Sequence, residues 1–493
     1  SYISKVVRKM VLAMDRMCRF AAALLATLAI CSLASCGVNK PEEPVSLTVW
    51  HYYNGVQLQA FSDLVSEFNE TVGAREGIFV EANSKGSIDN LRSTLKDAAE
   101  HKVGSAAMPN VFSAYADYAY ELYCDGQLAD LSVYLSDQDR SKYIQAYLSE
   151  GSFAGANSVL LFPIAKSTEV LLVNMTDFAP FAATCDVGEQ NLTTWEGIAD
   201  VAEKYYRYTD GMTEAPNDGK AFFGRDSMAN YILVGCAQLG QPLIQTKDGS
   251  VWVNINRSAL RRLWDNYYVP YVSGYFTALG RFRSDDAKTG DIIALVGSSS
   301  GCSYFPSAVT RADGSSYPIT AKVFPLPGFA GCERYAVQQG AGMAVAKSDR
   351  RTELAAVTFL KWFASPEQNI RFSARTGYLP VQKAANNGDL LRTAVLNEKL
   401  ELLPIVEDTL TIGMDMSEYY RFFTNDAFIN SYACRSAVEN AMQTQANHDL
   451  ASITAQIKSG ASRQTALEPF LDNAHFEQWL SDFERALREA NAE

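Results

Sequence analysis

Between residues 47 and 112, short strand-like runs alternate with helical ones, and this alternation limits the fold more than any other feature of the chain. Leu47-Thr48-Val49-Trp50 reads as a strand. The following segment sets Leu58, Phe61, Val65 and Phe68 on one helical face. Ile78-Phe79-Val80 is a second strand, Asp89 caps a helix that runs through Glu100, and Pro109-Asn110-Val111-Phe112 opens a third strand. A β-α-β-α-β order predicts an α/β lobe with a mainly parallel sheet, because each helix carries the chain back to the starting edge. Ligands of such sheets bind beyond the carboxyl ends of the strands. Here those ends are Trp50-His51-Tyr52-Tyr53-Asn54, Asn83-Ser84-Lys85-Gly86-Ser87 and Ser113-Ala114-Tyr115-Ala116-Asp117, all rich in aromatic and hydrogen-bonding side chains.

Composition narrows the class. The 493 residues are 47% hydrophobic and 20% charged, which excludes a disordered chain, a collagen and a multi-span membrane protein. The length predicts two or three globular units. The formal charge of −13 argues against nucleic acid as a partner, because phosphate binding needs concentrated Lys and Arg.

The first forty residues read as an address. Lys5, Arg8, Lys9, Arg16 and Arg19 precede an apolar run, Phe20 to Leu33, that is too short to span a bilayer. The run ends Leu33-Ala34-Ser35-Cys36-Gly37, which resembles the lipobox of a bacterial lipoprotein. The resemblance implies a signal peptide over residues 1–35, cleavage before Cys36, acylation of its thiol, and a tether over 36–45. Loss of residues 1–36 would leave the remainder four charges more acidic than the −13 of the whole chain. Such a surface repels anionic headgroups, so only the lipid would hold it at a membrane. Six cysteines remain beyond the leader: Cys124, Cys185, Cys236, Cys302, Cys332 and Cys434. No CxxC spacing joins them, and buried thiols and disulfides are equally open readings.

Further along, Val170-Leu171-Leu172-Val173-Asn174 is a strand and Thr194-Trp195-Glu196 opens a helix containing Ile198, Val201, Ala202 and Tyr205. Residues 291–296 form an apolar strand ending in Gly297-Ser298-Ser299-Ser300-Gly301, where hydroxyls and backbone N–H groups can cradle a ligand oxygen. Phe324-Pro325-Leu326-Pro327-Gly328 reads as a stiff connector. Ala356, Phe359, Leu360 and Phe363 mark an amphipathic helix, and Ser365 with Gln368 forms a capping box for the next. From about residue 384 the chain reads as mostly helical. In the stretch 428–442, Ile429, Ala433, Ala437 and Ala441 form a small apolar face, while Phe428, Tyr432 and Arg435 share another. An Arg beside aromatics suits a cleft, where it stacks on a ring or grips a phosphate.

Enzyme signals are weak. The Gly297-to-Gly301 run matches G-x-S-x-G, which would make Ser299 a hydrolase nucleophile with His448 or His475 as base, but Tyr304-Phe305-Pro306 interrupts the tight helix such an elbow needs. No Walker A, HExxH or paired-Cys spacing is present, so no cofactor or metal is expected and any ATP hydrolysis belongs to a partner. A surface lipoprotein without a transport role would share the anchor but need no closing cleft.

The chain resembles the family 1 extracellular solute-binding proteins of ABC importers, the maltose-binding-protein architecture. The features that carry the resemblance are Leu47-Thr48-Val49-Trp50-His51, Gln127-Leu128-Ala129-Asp130-Leu131, Thr193-Thr194-Trp195-Glu196, Pro325-Leu326-Pro327-Gly328, Phe359-Leu360-Lys361-Trp362-Phe363-Ala364-Ser365-Pro366-Glu367 and Thr376-Gly377-Tyr378-Leu379-Pro380-Val381. The resemblance implies an α/β, two-lobed, type II periplasmic-binding-protein-like fold. An N-terminal lobe would hold residues 46–163 and 328–378, and a C-terminal lobe 164–326 and 381–493. Crossings are expected near 162–167, 324–328 and 378–381. The implied activity is binding rather than catalysis, by an exported, lipid-anchored monomer. It would capture a sugar, oligosaccharide or phosphorylated polyol and deliver it to an ABC permease in the membrane. The cleft residues expected on this basis are Trp50, Tyr53, Tyr115 and Tyr378 as stacking platforms, and Asn54, Ser87, Asp117, Ser167, Ser299, Gly340 and Arg435 as polar partners. The subgroup binding glycerol-3-phosphate and its diesters is similar at Trp50-His51, Lys85-Gly86, Ser167-Thr168, Gly377-Tyr378-Leu379-Pro380 and Arg435. It departs where Ala116 replaces an acid and Ser87-Ile88 an aromatic.

Overall fold

The computed structural model describes residues 43–247 and 250–492. The basic leader, Cys36 and most of the tether lie outside the described residues. From Ser46 onward the chain forms one compact unit, built around two separate sheets.

The alternation over residues 47–112 builds the first sheet. β1 (Val45–His51), β2 (Ile78–Ser84) and β3 (Val111–Ala114) lie in the edge-to-edge order Gly342–Val345, β3, β1, β2. β1 and β3 are parallel, with Trp50 opposite Phe112. The later strand Gly342–Val345 runs antiparallel to β3. Helix α1 (Gly55–Phe68) buries Phe61, Leu64, Val65 and Phe68, close to the expected stripe. Helix α2 (Ile88–Ala99) is capped by Ser87, whose hydroxyl accepts from the Asn90 N–H at 3.2 Å; the expected cap, Asp89, sits in the first turn instead. There its charge favours the positive helix end. Helix α3 (Ala116–Cys124) follows β3 directly.

The second sheet contains β4 (Glu169–Asn174), β5 (Phe223–Arg225), β6 (Ala294–Ser298) and β7 (Ala321–Pro325), in the order β7-β4-β6-β5. β4 is antiparallel to both its neighbours, and only the β5–β6 pair is parallel. Pairing in this half is therefore mainly antiparallel, because β4 arrives by crossing from the other half rather than through a local βαβ turn. Every residue of β4 is buried, as in a sheet covered on both faces. Helix α4 (Trp195–Asp210) begins where the Thr194 hydroxyl accepts from the Gly197 N–H at 3.1 Å, and it buries Trp195, Ile198, Val201, Ala202 and Tyr205. Helix α5 (Met228–Gln238) is buried throughout.

At the boundary between the halves, the backbone of 162–167 bonds to two later segments of the chain. Phe162 and Met343 exchange N–H···O bonds of 2.8 Å each. Ser167 and Gln339 exchange another pair at 2.9 and 2.8 Å, and the Lys166 N–H donates to Leu379 O at 3.1 Å. The stretch 162–167, expected as the first crossing, takes part in these bonds. Residues 378–381, expected as the third, remain bonded to the first half: the Ile144 N–H donates to Val381 O at 3.0 Å and the Lys383 N–H to Lys142 O at 2.9 Å. Residues 324–328, expected to cross, stay in the second half: Pro325 pairs with Val170 on the edge of the sheet, and Gly328 accepts from the Trp195 N–H. An edge strand tolerates the missing Pro N–H. The passage occurs at 338–341, after β8 (Tyr335–Val337), and Phe329 and Ala336 belong to the second core.

Helix α6 (Arg350–Phe363) and helix α7 (Pro366–Thr376) follow, the latter ending at Gly377 with φ +75°. The expected capping box at Ser365 does not form; its hydroxyl bonds Trp362 O and the Gln368 side chain. Helix Gly388–Asn397, expected in the second half, packs on α7 through Leu391 and Ala394. β9 (Arg421–Phe423) pairs with β8 in parallel. The long α8 (Ser431–Lys458) turns Cys434, Val438, Met442 and Ala446 inward rather than the predicted alanine face, and leaves Ile429 exposed outside the helix. Its neighbours are α5, the helix Arg257–Val272 and α9 (Asn473–Ala492), and an i, i+4 stripe suits that enclosed position.

No two of the described cysteines are bridged. Among the described residues, no helix is long and apolar enough to cross a membrane, and no group of three or more His, Cys, Asp or Glu is arranged to hold a metal.

Candidate functional site

A cavity of about 260 Å³ lies between the two halves. The first half contributes the end of β3 with Tyr115, Asp117 and Tyr118, the start of α2 with Ile88, Asp89 and Arg92, and Glu150. The second contributes Asn230 from α5, residues 424–426 after β9, and Ser431, Tyr432 and Arg435 from α8. Val337, Gln338 and Gln339, at the second crossing, close the base.

Helix starts shape this wall. α3 and α8 both begin without a side-chain cap. Their first N–H groups and positive dipole ends therefore suit ligand oxygens. The β8–β9 pairing delivers the other edge: the Gln338 N–H donates to Phe423 O at 2.8 Å, which sets Gln338 beside Thr424.

Two polar groups in the wall have no hydrogen-bond partner. Gln338 is 5% exposed and neither atom of its side-chain amide is bonded; Ser431 is 8% exposed and its hydroxyl is unbonded. Leaving such groups unmade costs about 1–3 kcal/mol each. A ligand bearing both donors and acceptors would remove that cost.

Arg435 is held by a chain of bonds that runs into the second core. Its Nη2 donates to Asn230 Oδ1 at 2.9 Å, Asn230 Nδ2 donates to Glu169 Oε1 at 2.8 Å, and Arg225 Nη2 donates to Glu169 Oε2 at 2.9 Å. The guanidinium is thus fixed before any ligand arrives. Arg92 pairs with Asp117 at 3.3 Å and with Glu121 at 2.9 Å, and its guanidinium lies 4.1 Å from the centre of the Tyr432 ring across the cleft. The Tyr115 hydroxyl is pushed up to about 12 by burial, against the pull of Arg435, so it remains a proton donor. The residue as a whole is 39% exposed.

Of the residues expected from sequence, Tyr115, Asp117 and Arg435 line the cavity. The others do not. Trp50 packs in the first core with the Lys85 ammonium 3.9 Å from its ring centre. Tyr53 is buried against His51, Phe61 and Phe372. Tyr378 is buried too, its hydroxyl 3.2 Å from that of Tyr52. Asn54 donates to Gly86 O, and Ser87 caps α2. Ser167 and Gly340 are parts of the crossings, and Gly340 O accepts from Lys166 Nζ at 2.7 Å. The buried Ser299 hydroxyl accepts from the Thr168 N–H at 3.2 Å. His448 and His475 both bond Asp449. Ser299 therefore has neither the exposure nor the histidine a hydrolase nucleophile requires, and the hydrolase reading is set aside.

Sequence reasoning missed Arg92, Asn230, Gln338, Ser431 and residues 424–426. Tyr432 was singled out only as a neighbour of Arg435. The sequence carries no local signal for Ser431: Asn430 at the N-cap position reads as an ordinary cap, and only the structure shows that its side chain makes no capping bond.

Comparisons with known proteins agree with this geometry. A family model described as bacterial extracellular solute-binding protein matches residues 63–398. No curated protein matches the sequence. Among solved structures, the cyclic α-maltosyl-1,6-maltose binding protein of Arthrobacter globiformis is similar with a TM-score of 0.64 at 18% identity, over 91% of this chain and 99% of that one. UgpB of Mycobacterium tuberculosis, in complex with glycerophosphocholine, is similar with a TM-score of 0.61 at 16% identity, over 92% and 99%. The maltose/maltodextrin-binding domain MalE of Bdellovibrio bacteriovorus, bound to maltotriose, reaches 0.59 at 13% identity, over 91% and 99%. At these identities the likeness is one of fold, the two-lobed α/β architecture with a cleft between lobes. The family match covers most of the chain, and the protein belongs to the bacterial extracellular solute-binding proteins.

Proposed function

We propose that this protein captures a carbohydrate-class solute between its lobes and hands it, chemically unaltered, to an ABC permease. The ligand is a sugar, an oligosaccharide or a phosphorylated polyol. The observation that carries the reading is the buried, unbonded pair Gln338 and Ser431 in the cleft wall, joined there by the pre-oriented Arg435. Hydroxyl-rich ligands both donate and accept, and so satisfy an amide and a hydroxyl together. The ligands named for similar folds, glycans and glycerophosphocholine, are of this kind.

The lobes in this reading are residues 46–163 with 342–378, and 168–337 with most of the chain after 381. Ligand contacts to both would favour the closed arrangement. The Leu33-to-Gly37 pattern supports export and a lipid on Cys36. The anchor is tested by expressing the full chain in a bacterium: the Cys36→Ser form should be released from the membrane fraction and lose its acyl mass.

Binding is tested by thermal shift against sugars, oligosaccharides and phosphorylated polyols, followed by calorimetry on each hit. At least one probe should raise the melting temperature. Gln338→Leu and Ser431→Ala should each weaken that probe by about tenfold, the effect of about 1.4 kcal/mol. If the ligand carries phosphate, Arg435→Ala should weaken it far more than a neutral sugar. A ligand recovered in cleaved form would overturn the reading.

A further inference from the structure

The cleft does not end at its first cavity. A second one, of about 730 Å³, opens beside it, and Glu150, Thr424, Asn425 and Asp426 belong to the walls of both. It too spans the lobes: Tyr120, Ser149 and Phe153 face it from the first, and Phe422 and Phe428 from the second. The first cavity alone falls short of the roughly 300 Å³ at which small-ligand pockets usually begin, whereas the second lies well inside the usual range. The grip and most of the space are thus separated. Gln338, Ser431 and Arg435 sit in the small cavity with Tyr115, Tyr118 and Tyr432, while the large one adds further rings and the hydroxyls of Ser149, Ser152 and Thr246, which suit additional sugar rings. Phe153 is held edge-on by Tyr120, ring centres 5.6 Å apart, and is half-buried, so its position is fixed before a ligand stacks on it.

We infer that the ligand is a linear oligosaccharide of three or more rings, with one end gripped in the first cavity and the remaining rings laid past Glu150 into the second. This rests on the carbohydrate reading above and decides between its single-ring and oligomeric forms.

The test is calorimetry of the full mature chain with α-1,4-glucose, β-1,4-glucose and β-1,4-mannose oligomers of one to six rings. In at least one series the affinity should rise by about tenfold or more between one ring and three. Ser149→Trp, which puts a bulky side chain at an exposed position in the second cavity, should abolish that rise and leave the affinity for one ring within about twofold. Phe153→Ala should reduce the rise in the same way, and guards against a tryptophan that disturbs folding. A single ring that binds as tightly as the longest member overturns the inference and leaves the carbohydrate reading standing. So does a loss that is equal at every length in both variants. Silence across every series and every phosphorylated polyol overturns both.

Discussion

At the scale of single residues, burial decides roles that sequence leaves open. His51 is fully buried among rings, and neither ring nitrogen has a partner. Burial pulls its pKa from 6.5 down to about 4. The folded state therefore binds fewer protons here than the unfolded state. Stability from this group is complete above pH 6.5 and falls as pH drops toward 4. The loss should reach about 3 kcal/mol. Urea denaturation between pH 7 and pH 4 should show it, and a His51→Phe variant should show a shallower decline. Gly340 has φ +89°, and an added Cβ would stand 2.8 Å from Ala165 O. Gly340→Ala should cost about 2 kcal/mol, read from the same denaturation curves. Trp50 and Tyr53 show why cleft residues were hard to read. A strand end supplies aromatics to the core as readily as to a ligand, and only the packing of Phe61, Phe372 and α2 around them settles which.

At the scale of elements, local patterns were legible and long-range ones were not. The strand and helix order over residues 47–112 and the α6–α7 pair follow from periodicity, and the start of α4 from the Thr194 cap. The second crossing was misplaced because a Pro-rich stretch looks alike as a connector and as an edge strand. Gln338 reaches the cleft only through the β8–β9 pairing, which joins distant parts of the chain and leaves no mark near either strand. The crossings also hold a buried ion pair. Lys166, with no exposed side chain, bonds Glu150 and Gly340 O, and Glu150 belongs to the cleft wall. Lys166→Met should destabilise by about 3–5 kcal/mol by stranding the carboxylate. The Lys166→Met/Glu150→Leu pair should recover most of that loss, since two apolar groups replace two charges. Chemical denaturation of the three forms measures it.

At the scale of the whole molecule, the cleft already has contacts across it without a ligand. Arg92 meets the face of Tyr432, and Tyr147 packs against Phe422 with ring centres 5.5 Å apart. These contacts favour the closed arrangement, so their removal should shift the ligand-free protein toward the open one. Tyr432→Ala should enlarge the radius of gyration of the ligand-free protein in X-ray scattering, while an added ligand should restore the smaller value. An unchanged radius would show that this contact does not set the equilibrium. An exposed cation on a ring contributes about 0.5–1 kcal/mol, enough to shift a balanced population severalfold.

At the boundary between the lobes, the backbone of 162–167 is bonded on one side to Gln339 and Met343 and on the other to Leu379. A cut in one of these segments should therefore leave the lobes joined through the others, and new termini placed there should be tolerated, whereas a protein hung on a single strand would survive neither.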